Sequence, residues 1–541
     1  MRRIAVVIVL VLAAGCWPVT QALAAGSAAA QAAPPGALQA DFNNDGADDL
    51  AVGVPGEDVG SAEDAGAVNV LYGVAGTGLN GNGSQQFTQP VSAVEAGDQF
   101  GSVLASGDFN NDGFADLAVG APTEDVGNVP DAGAVSVLYG SSAGLSTAGA
   151  QTFVQPVSAV EADDQFGFAL AAGDFDGDDF ADLGVGAPFE SVGSTFLAGA
   201  VSALYGAGGG LGTAGAQTFV QPVSAVEVDD TFGFSLASGD FDNDGFADLA
   251  AGAPFEDVGT TVDAGATSAL YGSTGTGLST AGAQTFVQPV SAVERDDTFG
   301  WSLASGDFND DTFADLGVGA AFEDVGSVLD AGAVSALYGS TGTGLTTAGA
   351  QTFVQPVSAV ERDDTFGLSL ASGDFNGNGV ADLAAGAAFE DVGSAVDAGA
   401  VSALYGTSGT GLTLTGAQTL TKAQGGGSVA AGDAFGFGLA AGDFNNDGDS
   451  DLGVGAPFEA VGAAVAAGAV SHLAGSTGGL LTGGLLFTQA TAGVPGVAEP
   501  GDFFGWALAA GDPGPATTTA GSPSAAASSA SRARRAAAAG R

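Results

Sequence analysis

Residues 501–512 read GDFFGWALAAGD, and no acidic stretch follows them. The same text, an FG pair leading into a short apolar run and then GD, opens at Phe100, Phe166, Phe232, Phe299, Phe366 and Phe435. Those six copies all run straight into an acidic stretch such as DFNNDGFADL (108–117). Conversely, the first acidic stretch, DFNNDGADDLAVGVP (41–55), has no FG run before it, only the low-complexity AAGSAAAQAAPPGALQA. Seven acidic stretches and seven FG runs are thus offset by one. A ring resolves the offset: the last FG run completes the first unit, and closure removes the open sheet edges a linear array would leave.

The acidic stretches begin at Asp41, Asp108, Asp174, Asp240, Asp307, Asp374 and Asp443, 66 to 69 residues apart. A period of this length is one supersecondary unit per repeat. One unit reads FGFSLASGD (232–240), an acidic loop, DLAAGAPFEDVG (248–259), AGATSALYGS (264–273) and QTFVQPVSAVE (284–294). These four apolar segments are too short and too rich in glycine for independent helices, and turn residues separate them. The pattern predicts an all-β chain of seven four-stranded antiparallel units. All six tyrosines, Tyr72, Tyr139, Tyr205, Tyr271, Tyr338 and Tyr405, fall at one position of the third strand, as packing between units would require.

The 541 residues carry a formal net charge of −53, yet only 13% are charged and mean hydropathy is positive, at +0.29. The acid is therefore local, and the chain is not an acidic disordered one. Nucleic acid is excluded as a partner of the bulk of it. Residues 1–24 read as a signal peptide: Arg2 and Arg3, an apolar core from Ile4 to Ala14, and the small-residue site Ala22-Leu23-Ala24. Ala13-Ala14-Gly15-Cys16 resembles a lipoprotein box, so lipidation at Cys16 is the alternative. Either route predicts a secreted or cell-surface protein with no transmembrane segment and, Cys16 being the sole cysteine, no disulfides. Residues 25–40 form a linker and 41–512 the repeat domain. Residues 513–541 flip to Ala, Ser, Thr and Arg, as a genuine tail or a shifted reading frame would.

The acidic stretch carries the chemistry. In the second copy, Asp108, Asn110, Asp112 and Asp116 place side-chain oxygens at positions 1, 3, 5 and 9, and the carbonyl of Phe114 at position 7 adds another. Hard oxygens in this number on a flexible loop suit Ca²⁺. A helix-loop-helix site would need a glutamate at position 12, where Val119 stands instead. The loop is thus a cage inside a β-hairpin. The first copy offers Asp41, Asn43, Asp45, Ala47 and Asp49; the third, Asp174, Asp176, Asp178, Phe180 and Asp182. The fourth offers Asp240, Asp242, Asp244, Phe246 and Asp248; the fifth, Asp307, Asn309, Asp311, Phe313 and Asp315. The sixth has Asp374, Asn376, Asn378, Val380 and Asp382, and the seventh Asp443, Asn445, Asp447, Asp449 and Asp451. Up to seven Ca²⁺ sites are expected. The third and fourth cages carry four carboxylates each; the sixth carries two and should bind most weakly. Position 6, where a sharp turn favours glycine, is Asp179 in the third cage and Thr312 in the fifth, which puts the fifth cage's geometry in doubt.

FG, the D-x-N/D-x-D-G-x-x-D-L cage and then GAP resemble the FG-GAP repeat of integrin α-subunit β-propellers and related bacterial secreted proteins. Phe100-Gly101 with Gly120-Ala121-Pro122 match fully; the fifth and sixth copies read GAA (319–321 and 386–388). The resemblance spans about 41–512. It implies a seven-bladed β-propeller with calcium between strands one and two, and an adhesion or ligand-binding role for an unnamed protein or glycan. Strand alternation then puts a second set of acids on the opposite face: Glu57, Glu124, Glu256, Glu323 and Glu390, each followed by Asp, and clusters such as Glu161/Asp163/Asp164. Arg295 and Arg362 are the only relief. That face is either a solvated rim or a trap for a cationic partner.

No enzyme is expected. His472 is the only histidine and stands where other copies read VSALYG, so histidine-dependent triads and zinc sites lack their parts. Carboxylate pairs are plentiful but repeat in every unit, whereas an active site breaks symmetry. Trp301 and Trp506, directly after FG at equivalent strand positions, are expected to be packing or blade-centre residues and not a sugar platform. A monomeric binding or adhesion module is the leading expectation. A structural or self-assembling surface protein, or the non-catalytic part of a secreted hydrolase, is the alternative.

Overall fold

The computed structural model describes residues 28–29, 40–223, 226–290, 293–356 and 360–510. The signal peptide with Cys16, most of the linker and the 513–541 tail lie outside them. The described residues contain no helix and form seven antiparallel sheets. Blade 2 is typical, with Val103–Gly107 innermost, then Asp116–Ala121, Ala134–Tyr139 and Ser146–Phe153 outermost. The innermost strands contact one another in sequence around a closed ring.

The ring closes as the offset requires. Leu508–Ala509 pairs antiparallel with Leu50–Val54, with Ala51 opposite Ala509 and Val52 opposite Leu508, and so becomes the inner strand of blade 1. In addition, Ala28–Ala29 pairs in parallel with the inner strand of blade 3.

The glycines of FG and GAP have one joint cause. The GAP glycine of each blade faces the carbonyl of the FG glycine in the next. A Cβ built on Gly120 would lie 2.3 Å from the Gly167 oxygen, and one on Gly455 would lie 2.0 Å from that of Gly505. No side chain fits between backbones this close, so the motif is a contact between blades.

The residue after FG lines the centre. Phe168, Phe234 and Trp301 stack in succession at 5.0 and 4.9 Å, and Phe437 meets Trp506 at 4.7 Å. Trp301 and Trp506 are buried there, packing residues as expected, but at the centre of the ring and not within a blade. The tyrosines bind blade to blade: the Tyr139 hydroxyl donates to Gln151 Oε1 in its own blade and accepts the Leu211 N–H of the next at 3.2 Å.

Candidate metal centres

Each cage is built by its first and last aspartates. In blade 2, Asp108 accepts the N–H groups of Asp112 (3.1 Å) and Gly113 (2.9 Å), which folds the loop around its carboxylate. Asp112 in turn accepts the N–H of Phe114 at 3.1 Å. Asp116 is fully buried; it accepts the N–H of Phe109 at 3.0 Å and that of Gly140, where the next hairpin begins, at 2.8 Å. The same pair of bonds recurs at the ninth position of the first, third, fourth and fifth cages, and the bond from the following hairpin recurs in the sixth and seventh, from Gly406 and Gly475. Position 4 also takes a left-handed backbone, with φ of 52° at Asn111 and 56° at Asn243, which explains its Asn, Gly or Asp. Thr312 is accommodated in the same region: its φ is 77°, and its hydroxyl accepts the Asn243 amide of the preceding blade at 2.8 Å.

Burial sets the electrostatics. It pushes the Asp49, Asp116 and Asp182 carboxyls up to about 8, and those of Asp248, Asp315 and Asp382 well above the ordinary carboxylate range. Burial likewise raises Asp240 to about 6. A cation in the cage offsets this desolvation and restores the charged form.

The cages are not equivalent. In blades 3 and 4 the carboxylates of positions 1, 3 and 9 converge: one oxygen each from Asp174, Asp176 and Asp182, and from Asp240, Asp242 and Asp248, all within 4.8 Å of one another. The position-5 aspartates, Asp178 and Asp244, stand outside these triads, each accepting a backbone N–H. The position-3 oxygens of Asn110, Asp176, Asp242 and Asn309 are buried without a hydrogen-bond partner. Such an oxygen beside carboxylates is costly alone, by about 1–3 kcal/mol, and fits a hard cation. In blade 6 the Asn376 amide donates to both oxygens of Asp382, at 2.9 and 2.7 Å. In blade 7 Asn445 does the same to Asp451, which also meets His472 Nε2 at 3.0 Å. Here N–H donors stand where a cation would. His472 lies in the strand Ala469–Leu473; its bond to the cage was not legible, since only the fold brings residues 451 and 472 together.

On the opposite face the acids divide. Glu161 and Asp163 are exposed, and Arg295 and Arg362 pair with their neighbours Asp296 and Asp363. Glu124, Glu190, Glu256, Glu323 and Glu390 are buried, as are Asp98, Asp164, Asp230, Asp297 and Asp364. The solvated rim expected there is therefore only half of the acid; the rest is enclosed at the blade junctions.

A family model described as FG-GAP repeat matches residues 34–71, 100–138, 166–204, 232–270, 299–337, 366–404 and 435–473. The chain belongs to the FG-GAP repeat family. Among curated relatives, the phosphatidylinositol-glycan-specific phospholipase D of Rattus norvegicus is 36% identical over 169 residues, covering 31% of this chain and 20% of that protein. Integrin alpha-3 of Cricetulus griseus is 33% identical over 180 residues, covering 30% and 15%. Integrin alpha-5 of Xenopus laevis is 31% identical over 220 residues, covering 39% and 19%. The match thus spans a fifth or less of each of these relatives. No helix among the described residues is long and apolar enough to cross a membrane.

Proposed function

We propose that this FG-GAP propeller is exported, binds Ca²⁺ in its hairpin cages and serves as a binding or adhesion module for a protein or glycan, without catalysis of its own. The observation that carries the metal reading is the orphaned position-3 oxygen in blades 2 to 5, which in blades 3 and 4 belongs to a converging carboxylate triad. Asp174, Asp176 and Asp182, and their counterparts Asp240, Asp242 and Asp248, would hold the ion most firmly. The ion would supply charge neutralisation and cross-linking of the hairpin, the role disulfides fill in other exported domains. The similarity to integrin alpha chains supports a binding role. Against catalysis stands the placement of the acids. The Asp and Glu at the blade junctions are in hydrogen-bond contact and buried, whereas glycoside hydrolysis needs two carboxyls about 5 Å or more apart around a substrate.

Similarity to a phospholipase D favours a second reading, in which the propeller is the non-catalytic part of a secreted hydrolase. Thermal melts of the full chain in calcium, magnesium and chelator test the metal reading: a calcium-specific rise is expected, and no shift refutes it. A glycan array and a polylysine column, both run with and without calcium, test the binding reading; retention on neither removes it.

A further inference from the structure

At each blade junction, on the face away from the cages, a glutamate two residues after GAP meets the aspartate that ends the loop entering the FG strand of its own unit. The pairs are Glu124 with Asp98, Glu190 with Asp164, Glu256 with Asp230, Glu323 with Asp297 and Glu390 with Asp364, each in side-chain hydrogen-bond contact. Glu57 stands beside Asp502 at the closure. All of these aspartates are at most 2% exposed. Two carboxyls in such contact cannot both be charged without a cation between or beside them.

A third oxygen is present. Gln89, Gln155, Gln221 and Gln355 donate from Nε2 to the glutamate at 2.7 to 3.1 Å, and Gln489 reaches Glu57 at 2.5 Å. These glutamines are 4–6% exposed, and the Oε1 of each has no partner, as is true of Gln288 at the sixth such junction. Asp364 Oδ1 and Glu323 Oε2 are buried and unpartnered too. A shared proton would settle the carboxyls and still leave the amide oxygen orphaned. With the amide turned over, so that Oε1 replaces Nε2 at the glutamate, a hard cation would take oxygens from all three; unturned, the N–H stands in the ion's place, as in the cages of blades 6 and 7.

The seventh junction acts as an internal control. There the glutamine is replaced by Lys422, 1% exposed, whose ammonium forms ion pairs with both Asp433 and Glu459. The one junction that lacks the amide oxygen brings its own positive charge to the same place.

We propose that the six Gln–Glu–Asp junctions are a second ring of cation sites, each taking a hard divalent ion such as Ca²⁺ between neighbouring blades, and that Lys422 is a built-in substitute for the ion at the seventh. The ring is separate in position and in ligand chemistry from the hairpin cages, and it joins blades where the cages brace single hairpins.

The test counts ions. The full-length protein is dialysed to equilibrium against calcium chloride, and bound calcium is measured by elemental analysis. The double substitution Gln288→Lys with Gln355→Lys copies the Lys422 arrangement and should remove two ions per chain. Lys422→Gln should add one. The cages, on the other face, are untouched, so differences from wild type report the junctions alone. Unchanged calcium content in both variants, each folded by circular dichroism, overturns the proposal and leaves a shared proton as the occupant. Should a variant not fold, crystals of the wild type soaked in terbium chloride decide: anomalous peaks beside Glu323 and Asp297, and none beside Lys422, are expected. Absence of peaks at the junctions overturns the proposal.

Discussion

Asp242→Asn gives the sharpest test of the cage reading, because its effect should change sign with calcium. One Asp242 oxygen lies within 4.8 Å of oxygens of Asp240 and Asp248, its buried Oδ1 makes no hydrogen bond, and an amide keeps an oxygen for the Asp244 N–H that the side chain accepts. Without metal the change removes repulsion only. At 4.8 Å two charges repel by about 1 kcal/mol in water and by about 3.5 kcal/mol at an effective dielectric constant of about 20. Burial favours the neutral form of Asp248, so the pair with Asp240 weighs more, and Asp242 is only part-buried. A gain of about 1–2 kcal/mol follows. With calcium, one of the three converging carboxylates becomes a neutral amide, at a cost of about 2–3 kcal/mol on the scale by which ligand charge tunes calcium sites. For a ring of about 470 residues each kcal/mol moves the melting temperature by about 1 °C. Differential scanning calorimetry should therefore find the variant about 1–2 °C more stable than wild type when metal-free and about 2–3 °C less stable in calcium. A shift of the same sign in both conditions refutes the reasoning.

Three further outcomes are expected. Asp116→Ala strips acceptors from the N–H groups of Phe109 and Gly140 and should cost about 2–4 kcal/mol with or without calcium, read by urea unfolding. Gly120→Ala forces a methyl against the Gly167 oxygen of the next blade and should cost about 1–3 kcal/mol; a neutral result would mean the blades can part there. Metal-free protein should lose stability as pH rises. Asp49, Asp116 and Asp182 titrate near 8 when folded against 3.8 ordinarily, so the folded state binds more protons between those values. Their contribution is complete below about pH 4 and lost as pH passes about 8, so the melting temperature should be higher at pH 5 than at pH 8.

The ring, its closure and the cages were legible because each is written seven times within a few consecutive residues. The offset between Asp41 and Phe504 was enough to join residues 51 and 509. The junctions were not legible, although their parts recur as faithfully. Gln89 and Glu124 stand 35 residues apart, and Asp98 belongs to neither motif. Only the docking of one blade on the next makes them neighbours. The same distance in sequence hid the burial: Glu124 and Asp125 are adjacent, yet the first is enclosed and the second is in solvent. Thr312 takes the positive φ that its position predicts, and the amide that donates to its hydroxyl could not be foreseen because it comes from another repeat.

The closing strand has a consequence for how the molecule comes into being. Blade 1 begins at residue 50 but cannot be finished until Leu508 and Ala509 arrive. During vectorial synthesis, Leu50–Val54 keeps an unpaired edge while six later blades assemble beside it. A chain cut short before residue 508 would carry that edge permanently, and the tail strand of an intact neighbour would fit it. Truncated and full-length copies made together are therefore expected to exchange strands into linked pairs.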